Sequence, residues 1–248
     1  MLDPVYVAVS FVLWCWHQLF GLLLGPVSGA AWALSVVFLV LTLRALLIRP
    51  ALAQARSGRA MRALAPQLAE LRRRHAGDPA RLARETAALQ KANGVSVWST
   101  LLPAVVQLPV VLGLLHVLHA IAAGSTDYAL GAGEVSSFLA ARLFGAPLSG
   151  YLSMPQQALD ALGTGRLDVA LVAVPLMLLA AAATFFSARH AARQPDAPAY
   201  LRWTPWVLPL GALVGGAFFP LPIGILLYWL TQNVWTLVQQ HLVTRAHV

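Results

Sequence analysis

The chain has 248 residues, of which 59% are hydrophobic and 10% are charged, and its formal net charge is +8. A soluble domain has about 25% charged residues, so this composition excludes a soluble globular protein and predicts an integral membrane protein. The single cysteine, Cys15, excludes an internal disulfide. The sequence has no glycine-rich phosphate loop, no Cys/His cluster and no recognisable nucleophile–base set, so we predict no enzyme activity, no catalytic residue, no metal and no cofactor.

Residues 1–29 are predicted to form an interfacial helix followed by a linker. The stretch Pro4–Leu24 is apolar, contains two tryptophans and ends at Gly25-Pro26. Tryptophan favours the membrane–water interface, and no basic residue flanks the stretch to fix an orientation across the bilayer. We therefore expect a helix that lies on the outer face of the membrane. A further transmembrane span is the alternative.

The first transmembrane helix is predicted over residues 30–50, and it contains Arg44. An arginine at the centre of a membrane helix costs roughly 2.5–3.5 kcal/mol on insertion scales, so such a residue ordinarily marks a function. Three interpretations remain open at this point. The side chain snorkels toward the headgroups near Arg49, or it faces water inside the membrane, or it receives an anion from another molecule.

Residues 51–97 are predicted to form a basic helical hairpin outside the membrane. Met61, Leu64, Leu68 and Leu71 recur at three- and four-residue steps, which is the spacing of a coiled-coil seam. The segment His75–Pro79 breaks the helix, because Asp78 can cap the next helix and Pro79 suits its first position. The cationic side chains are either a solvated face that sets topology or a binding surface.

Apolar runs divide the rest of the chain into predicted transmembrane helices and the loops between them. Gly211 and Gly215 have the spacing of a close helix–helix contact, and we predict that they serve this packing role. The predicted parts are transmembrane helix 2 (98–122), an extracytoplasmic loop (123–166), transmembrane helix 3 (167–188), a cytoplasmic loop (189–202), transmembrane helix 4 (203–219), transmembrane helix 5 (220–243) and a cytoplasmic tail (244–248).

The basic residues predict the orientation of these helices. With the hairpin inside the cell, fourteen of the 17 cations lie on the cytoplasmic side, and only Arg142 and Arg166 lie outside. Lysine and arginine are enriched in cytoplasmic loops. We therefore predict five spans with a cytoplasmic C-terminus.

Several polar residues fall inside the predicted spans. In helix 5, Trp229, Asn233, Thr236 and Gln240 follow one another at steps of four, three and four, so they share one face. Other polar residues are Gln107 in helix 2 and Thr42 and Arg44 in helix 1. Such side chains can cross-link helices in a bundle. Because no acidic residue falls at the depth of Arg44, we favour a hydrated groove that is open to the cytosol.

Three segments, in this order, resemble the YidC membrane protein insertases of bacteria and their mitochondrial Oxa and chloroplast Alb relatives. They are LTLRALLIRP, followed by the basic hairpin, NGVSVWSTLLPAVVQLPVVLGLLHVL and FFPLPIGILLYWLTQNVWTLVQQ. The resemblance covers roughly residues 4–122 and 167–243. It implies an all-α polytopic membrane protein with five helices around a positively charged groove that opens to the cytosol, an N-terminal interfacial helix and a cytoplasmic hairpin.

The resemblance also implies a function and a set of residues. Arg44 aligns with the groove arginine of the family, Gln107 falls in its second-span motif, and Trp229 falls where an aromatic contacts substrate helices. A nascent membrane protein would place its hydrophilic tail in the groove and release its apolar helix into lipid. The predicted substrate-binding residues are Arg44, Thr42, Gln107, Trp229, Asn233, Thr236 and Gln240.

The hairpin matches the family's first cytoplasmic region, which implies a role in recruiting partners. Those partners would be the ribosome, the signal recognition particle machinery and the Sec translocon, in addition to nascent membrane proteins and the lipid bilayer. The short tail TRAHV lacks the long basic extension of some members, so we expect weaker ribosome binding through the tail. The predicted recruitment residues are Arg56, Arg59, Arg62, Arg72, Arg73 and Arg74.

Two other functions remain open. One is a small-solute transporter or channel, but such proteins usually have midplane carboxylates and internal repeats, and we find neither in the sequence. The other is a membrane assembly factor that binds subunits without inserting them. The insertase interpretation predicts no small-molecule substrate and a location in the bacterial cell membrane.

Overall fold

The computed structural model describes residues 3–94, 97–126, 129–193 and 199–245. Within these ranges the chain is almost entirely helical, with one short antiparallel strand pair. The chain divides into a larger unit, Met1–Leu43 with Pro109–Val248, and a smaller unit, Arg44–Leu108. The elements are α1 (Asp3–Leu24), α2 (Gly29–Leu46), α3 (Ile48–Ala63), α4 (Ala65–Arg74), α5 (Pro79–Ala92), α6 (Val97–Ala122), α7 (Ala132–Ala140), β1 (Arg142–Leu143), β2 (Ala146–Pro147), α8 (Gln156–Ala161), α9 (Arg166–Ala192), a 3-10 helix (Ala199–Arg202), α10 (Thr204–Phe218) and α11 (Ile223–Arg245).

Three helices are long and apolar enough to cross a membrane among the residues described: α1, α2 and α9. Two shorter apolar stretches are α10 and Val111–Ala122, which is the C-terminal part of α6. Helix α11 has 23 residues and carries threonine, glutamine and asparagine side chains among its apolar ones. These elements confirm the predicted all-α polytopic membrane protein, while the assignment of five spans stays a prediction.

In the larger unit, α9 packs against both α10 and α11. A 27-residue helix such as α9 is about 40 Å long, which exceeds the roughly 30 Å hydrocarbon thickness of a bilayer. Gly216 lies at the α9–α10 contact, where an added Cβ would come within 2.6 Å of Met177 Cε. Gly211 and Gly215 have open space around them among the described residues. The prediction that those two glycines make the close contact is therefore wrong.

Helix α1 contacts the last turns of α6 and the segment that follows it. The Tyr6 ring stacks on His116 at 4.4 Å between centroids, the Ser10 hydroxyl accepts a 3.2 Å hydrogen bond from the Ala129 N–H, and the Trp14 indole donates to Glu134 at 3.1 Å. The three contacts extend over more than two turns of α1. Such a helix fits the predicted interfacial position, although its length and composition also suit a span.

The segment 123–166 is more ordered than the predicted loop. It contains α7, the strand pair and α8, and its buried side chains include Phe138, Leu148 and Leu159. The chain turns between the strands at Phe144 and Gly145, which both have positive φ. Backbone carbonyls of this segment also accept hydrogen bonds from Ile223 and Gly224. The segment therefore fixes the first turn of α11 in place, and its extracytoplasmic location stays a prediction.

The smaller unit is described separately. Helices α4 and α5 pack against each other, and Leu64 between α3 and α4 is buried. The predicted cap is confirmed, because the Asp78 carboxylate accepts a 3.0 Å hydrogen bond from the Arg81 N–H and Pro79 opens α5. The predicted single helix over 30–50 is corrected, since α2 ends at Leu46 and α3 begins at Ile48.

Candidate functional site

The predicted groove residues of helix α2 are Thr42 and Arg44. The Thr42 hydroxyl donates to the Phe38 carbonyl at 2.8 Å and accepts a 3.0 Å hydrogen bond from the Trp16 indole N–H. The Trp16 ring also lies 4.9 Å from the Phe38 ring between centroids. Thr42 thus joins α1 to α2, which is a structural contact that sequence reasoning did not predict.

Arg44 lies in the last turn of α2, and its side chain is half-buried. A cation in this position interacts favourably with the negative end of the helix dipole. Arg44 and Gln107 belong to the smaller unit, whereas Thr42 and the residues of α11 belong to the larger unit. Gln107 lies in α6, but its side chain is outside the described part of the structure. The grouping of these residues into one groove therefore stays a prediction.

The polar face of α11 forms as a continuous helical stripe. Trp229, Asn233, Thr236 and Gln240 are all half-buried. The Thr236 hydroxyl donates back to the Gln232 carbonyl at 2.9 Å. Asn233 Nδ2 is buried and has no hydrogen-bond partner among the described residues. A buried amide N–H₂ needs an acceptor, so this part of the stripe has the chemistry to bind a polar group of a ligand.

The recruitment residues differ in their surroundings. Arg73 and Arg74 both donate to the Glu70 carboxylate, Arg74 at 2.9 Å. Arg56 and Arg72 are exposed, and the side chains of Arg59 and Arg62 lie outside the described part. Two of the predicted recruitment cations are therefore engaged within α4.

Basic neighbours lower the pKa values of two carboxyl groups in the hairpin, those of Glu70 and Glu85. Hydrogen bonds from Arg74 and then Arg73 lower the pKa of Glu70 below its usual 4.5. The pKa of Glu85 is lowered by the hydrogen bond from Arg81, at 3.0 Å, and by His75, also at 3.0 Å. Both glutamates remain charged at neutral pH. They also line a cavity of about 770 Å³ between α4 and α5, with Leu71 and Leu89 on its apolar wall.

A second cavity lies between the end of α9 and α11 in the larger unit. It has a volume of about 400 Å³, Arg189 and Arg193 contribute its positive charge, and His190 also lines it. Gln240 is the predicted site residue that lines it. Sequence reasoning used these arginines only for topology. Their four-residue spacing on a predicted helix, with Phe186 three residues before Arg189, was the available signal for a binding site.

A third cavity, of about 390 Å³, lies between α1 and α7. Its lining includes His17, Gln18 and Glu134, and the Glu134 carboxylate accepts hydrogen bonds from Trp14 and Gln18. The His17 ring stacks 3.7 Å from Trp32, between centroids. The contact of Glu134 with α1 was missed, because nothing local to the sequence pairs residues 120 positions apart. Among the described residues no group of three or more metal-ligating side chains occurs.

The chain is similar to known membrane proteins from several bacteria. A family model described as 60Kd inner membrane protein matches residues 23–248. A Mycobacterium tuberculosis protein is 39% identical over 267 residues, which cover 98% of this chain and 72% of that protein. A Mycobacterium leprae protein is 38% identical over 98% of this chain and 70% of its own length. A Tropheryma whipplei protein is 31% identical over 97% of this chain and 82% of its own length. All three carry the name membrane protein insertase YidC.

Proposed function

The chain belongs to the 60Kd inner membrane protein family, and we propose that it is a membrane protein insertase and chaperone. The observation that carries this proposal is the similarity over nearly the whole chain to relatives that are named insertases. The long apolar helices α2 and α9 are consistent with a bilayer location. The protein would act in the bacterial cell membrane without a cofactor.

In this proposal Arg44 receives the hydrophilic tail of a nascent membrane protein. Two unit charges about 4 Å apart attract by roughly 4 kcal/mol at an effective dielectric constant of 20, against roughly 1 kcal/mol in water. A partly hydrated site could therefore hold an acidic side chain transiently without trapping it. The half-buried position of Arg44 in an otherwise apolar helix supports this role.

The stripe on α11 would supply the remaining polar contacts. Asn233 offers a buried donor, and Trp229 packs at the edge of the core, where it could contact an apolar substrate helix. We propose that Thr236, Gln240 and Gln107 also contact the polar tail. Thr42 would hold α1 in place beside the site, because its hydroxyl already bonds to Trp16.

The hairpin would recruit partners from the cytoplasm. Arg56 and Arg72 are exposed on it, and exposed cations attract polyanionic partners such as a ribosome. We propose that this surface contacts the ribosome, the signal recognition particle machinery and the Sec translocon. The hairpin and the C-terminus would then both be cytoplasmic, with residues 123–166 outside.

Reconstitution tests this function. The purified full chain is placed in liposomes, and a short membrane protein that needs no Sec channel is added as it is synthesised. We expect the translocated tail of this substrate to become protected from external protease, whereas empty liposomes give no protection. A protein that binds the substrate without protecting its tail would be an assembly factor. Solute flux without protection would indicate a transporter.

A further inference from the structure

We propose that the cavity between α9 and α11 binds the phosphate of an anionic phospholipid. The first observation is the placement of positive charge. Arg189 and Arg193 are four residues apart, so they lie on one face of the end of α9. Both are exposed, and neither forms an ion pair with a carboxylate in the described part of the chain. The Arg189 guanidinium lies 5.8 Å from the Phe185 ring centroid, a cation–π distance that orients it.

The second observation is the apolar surface that leads to these arginines. Leu171, Leu178 and Phe186 are 65%, 54% and 55% exposed, and their spacing of seven and eight residues places them on one face of α9. Phe186 lies three residues before Arg189, so this face ends at the two guanidinium groups. On α11, Val234 and Val238 are also exposed. Acyl chains can lie along such a surface while the headgroup meets the cations.

The third argument is the depth of the cavity that the predicted span 167–188 implies. Residues 167–188 of α9 extend about 33 Å, close to the roughly 30 Å hydrocarbon thickness. Arg189 and Arg193 therefore fall at the level of the lipid phosphates. Basic pockets between membrane helices at this level bind anionic headgroups. The volume of about 400 Å³ accommodates a phosphate with its glycerol, and the Gln240 side chain on α11 lines the opposite wall.

This proposal goes beyond the insertase function and does not depend on it. A lipid uses both parts of this surface at once, because its phosphate meets the two arginines while its acyl chains lie on the adjoining apolar face. A soluble polyanion such as RNA would bind the arginines without contacting the exposed apolar side chains of Leu178 and Phe186. The combination of the phosphate-depth cations and the exposed apolar face favours the lipid.

The test measures lipid binding by the purified full chain in detergent, by native mass spectrometry. Phosphatidylglycerol is titrated against phosphatidylcholine with the same acyl chains. We expect Arg189→Gln/Arg193→Gln to weaken phosphatidylglycerol binding by about thirtyfold, since each cation near the surface contributes about 1 kcal/mol. Phosphatidylcholine binding should not change. Arg189→Lys/Arg193→Lys should retain most of the binding, and thermal unfolding checks that each variant is folded.

The matched control removes two other exposed cations, Arg84→Gln/Lys91→Gln in the hairpin, and should bind both lipids as the unaltered chain does. An equal loss in this control, or no loss in the α9 variant, would overturn the proposal. Displacement of the lipid by millimolar inorganic phosphate or by an acidic peptide would identify a general anion site and also contradict it. A photoreactive residue at Leu237 in the otherwise unaltered chain should crosslink phosphatidylglycerol in preference to phosphatidylcholine, and equal crosslinking would count against the site.

Discussion

Gly29 shows how one residue sets a distance between elements of the larger unit. It begins α2 beside β1, and a Cβ built on it would lie 1.9 Å from the Arg142 carbonyl oxygen and 2.9 Å from the Leu143 nitrogen. These are backbone atoms, which cannot rotate away as a flexible side chain can. The first turn of α2 can therefore approach the strand pair only without a side chain at this position.

The substitution Gly29→Ala should destabilise the protein by about 1–3 kcal/mol, the range for overpacked sites. The measurement is thermal unfolding of the purified protein in detergent. Gly211→Ala is the matched control, because this helical glycine has open space around it and alanine favours helix by about 0.5–1 kcal/mol. A Gly29→Ala protein as stable as the control would show that the strand pair does not hold α2 at this distance.

The substitution Arg44→Ala should reduce insertion most for substrates whose translocated tails are acidic. We expect a loss of about tenfold, which corresponds to about 1.4 kcal/mol of lost attraction. Arg44→Lys should retain much of the activity, because a point charge is sufficient for this role. Initial insertion rates in liposomes, at equal amounts of protein, provide the measurement.

Substrates with neutral tails serve as the internal comparison and should be affected less. Arg49→Ala is the matched variant, since it removes a nearby cation from α3. If the Arg44 side chain only reaches toward the lipid headgroups, Arg44→Ala should leave the insertion rate nearly unchanged while Arg49 is present. Unchanged insertion of acidic-tailed substrates would therefore exclude the electrostatic role.

At the scale of elements, α4 and α5 each contain charged pairs that depend on pH. The pKa of Glu70 and that of Glu85 are both lowered by arginine hydrogen bonds. A carboxyl whose pKa is lower in the folded state stabilises that state above its usual pKa of 4.5 and loses this effect as the pH falls through the folded value. Helices α4 and α5 should therefore unfold locally more often in acid.

Hydrogen exchange of the full chain measures this effect, after correction for the intrinsic pH dependence of exchange. We expect peptides from α4 and α5 to lose protection between neutral pH and pH values below 4.5. In Glu70→Gln/Glu85→Gln, protection should be lower at neutral pH and should change little with pH. Peptides from the core of α9 serve as the reference. Equal pH dependence in the variant would assign the change to other groups.

Elements that depend on neighbouring residues could be predicted from the sequence, whereas elements that depend on tertiary contacts could not. The Asp78 cap and the end of α5 at Asn93-Gly94 were predictable, because capping involves neighbours in the sequence. Helices α7 and α8 have nine and six residues, and such short helices are not stable by themselves. Both helices place a side chain in the hydrophobic core, Phe138 from α7 and Leu159 from α8, and this burial stabilises them. The same distinction holds for the candidate site. The polar stripe on α11 could be predicted from the periodicity of the sequence. The cavity between α9 and α11 could not, because it exists only when the two helices are adjacent in space.

At the scale of the whole molecule, the charge distribution predicts which side of the membrane each segment occupies. The hairpin and Thr244 should be cytoplasmic, and the segment with Ser136 should be external. Single cysteines at Ala76, Ser136 and Thr244 in a Cys15→Ala background can be labelled in intact cells with an impermeant thiol reagent. We expect labelling from outside only at position 136, and labelling of the other two after the membrane is permeabilised.

The same labelling, with a cysteine at Asp3, distinguishes the two positions proposed for α1. If α1 lies on the outer face, its first residue is external and should be labelled in intact cells. If α1 crosses the membrane before α2, its first residue is cytoplasmic and should be labelled only after permeabilisation. The contacts of Ser10 with Ala129 and of Trp14 with Glu134 join α1 to a segment predicted to be external, so we expect external labelling. External labelling at position 76 would reverse the whole orientation, because fourteen cations would then lie outside the cell.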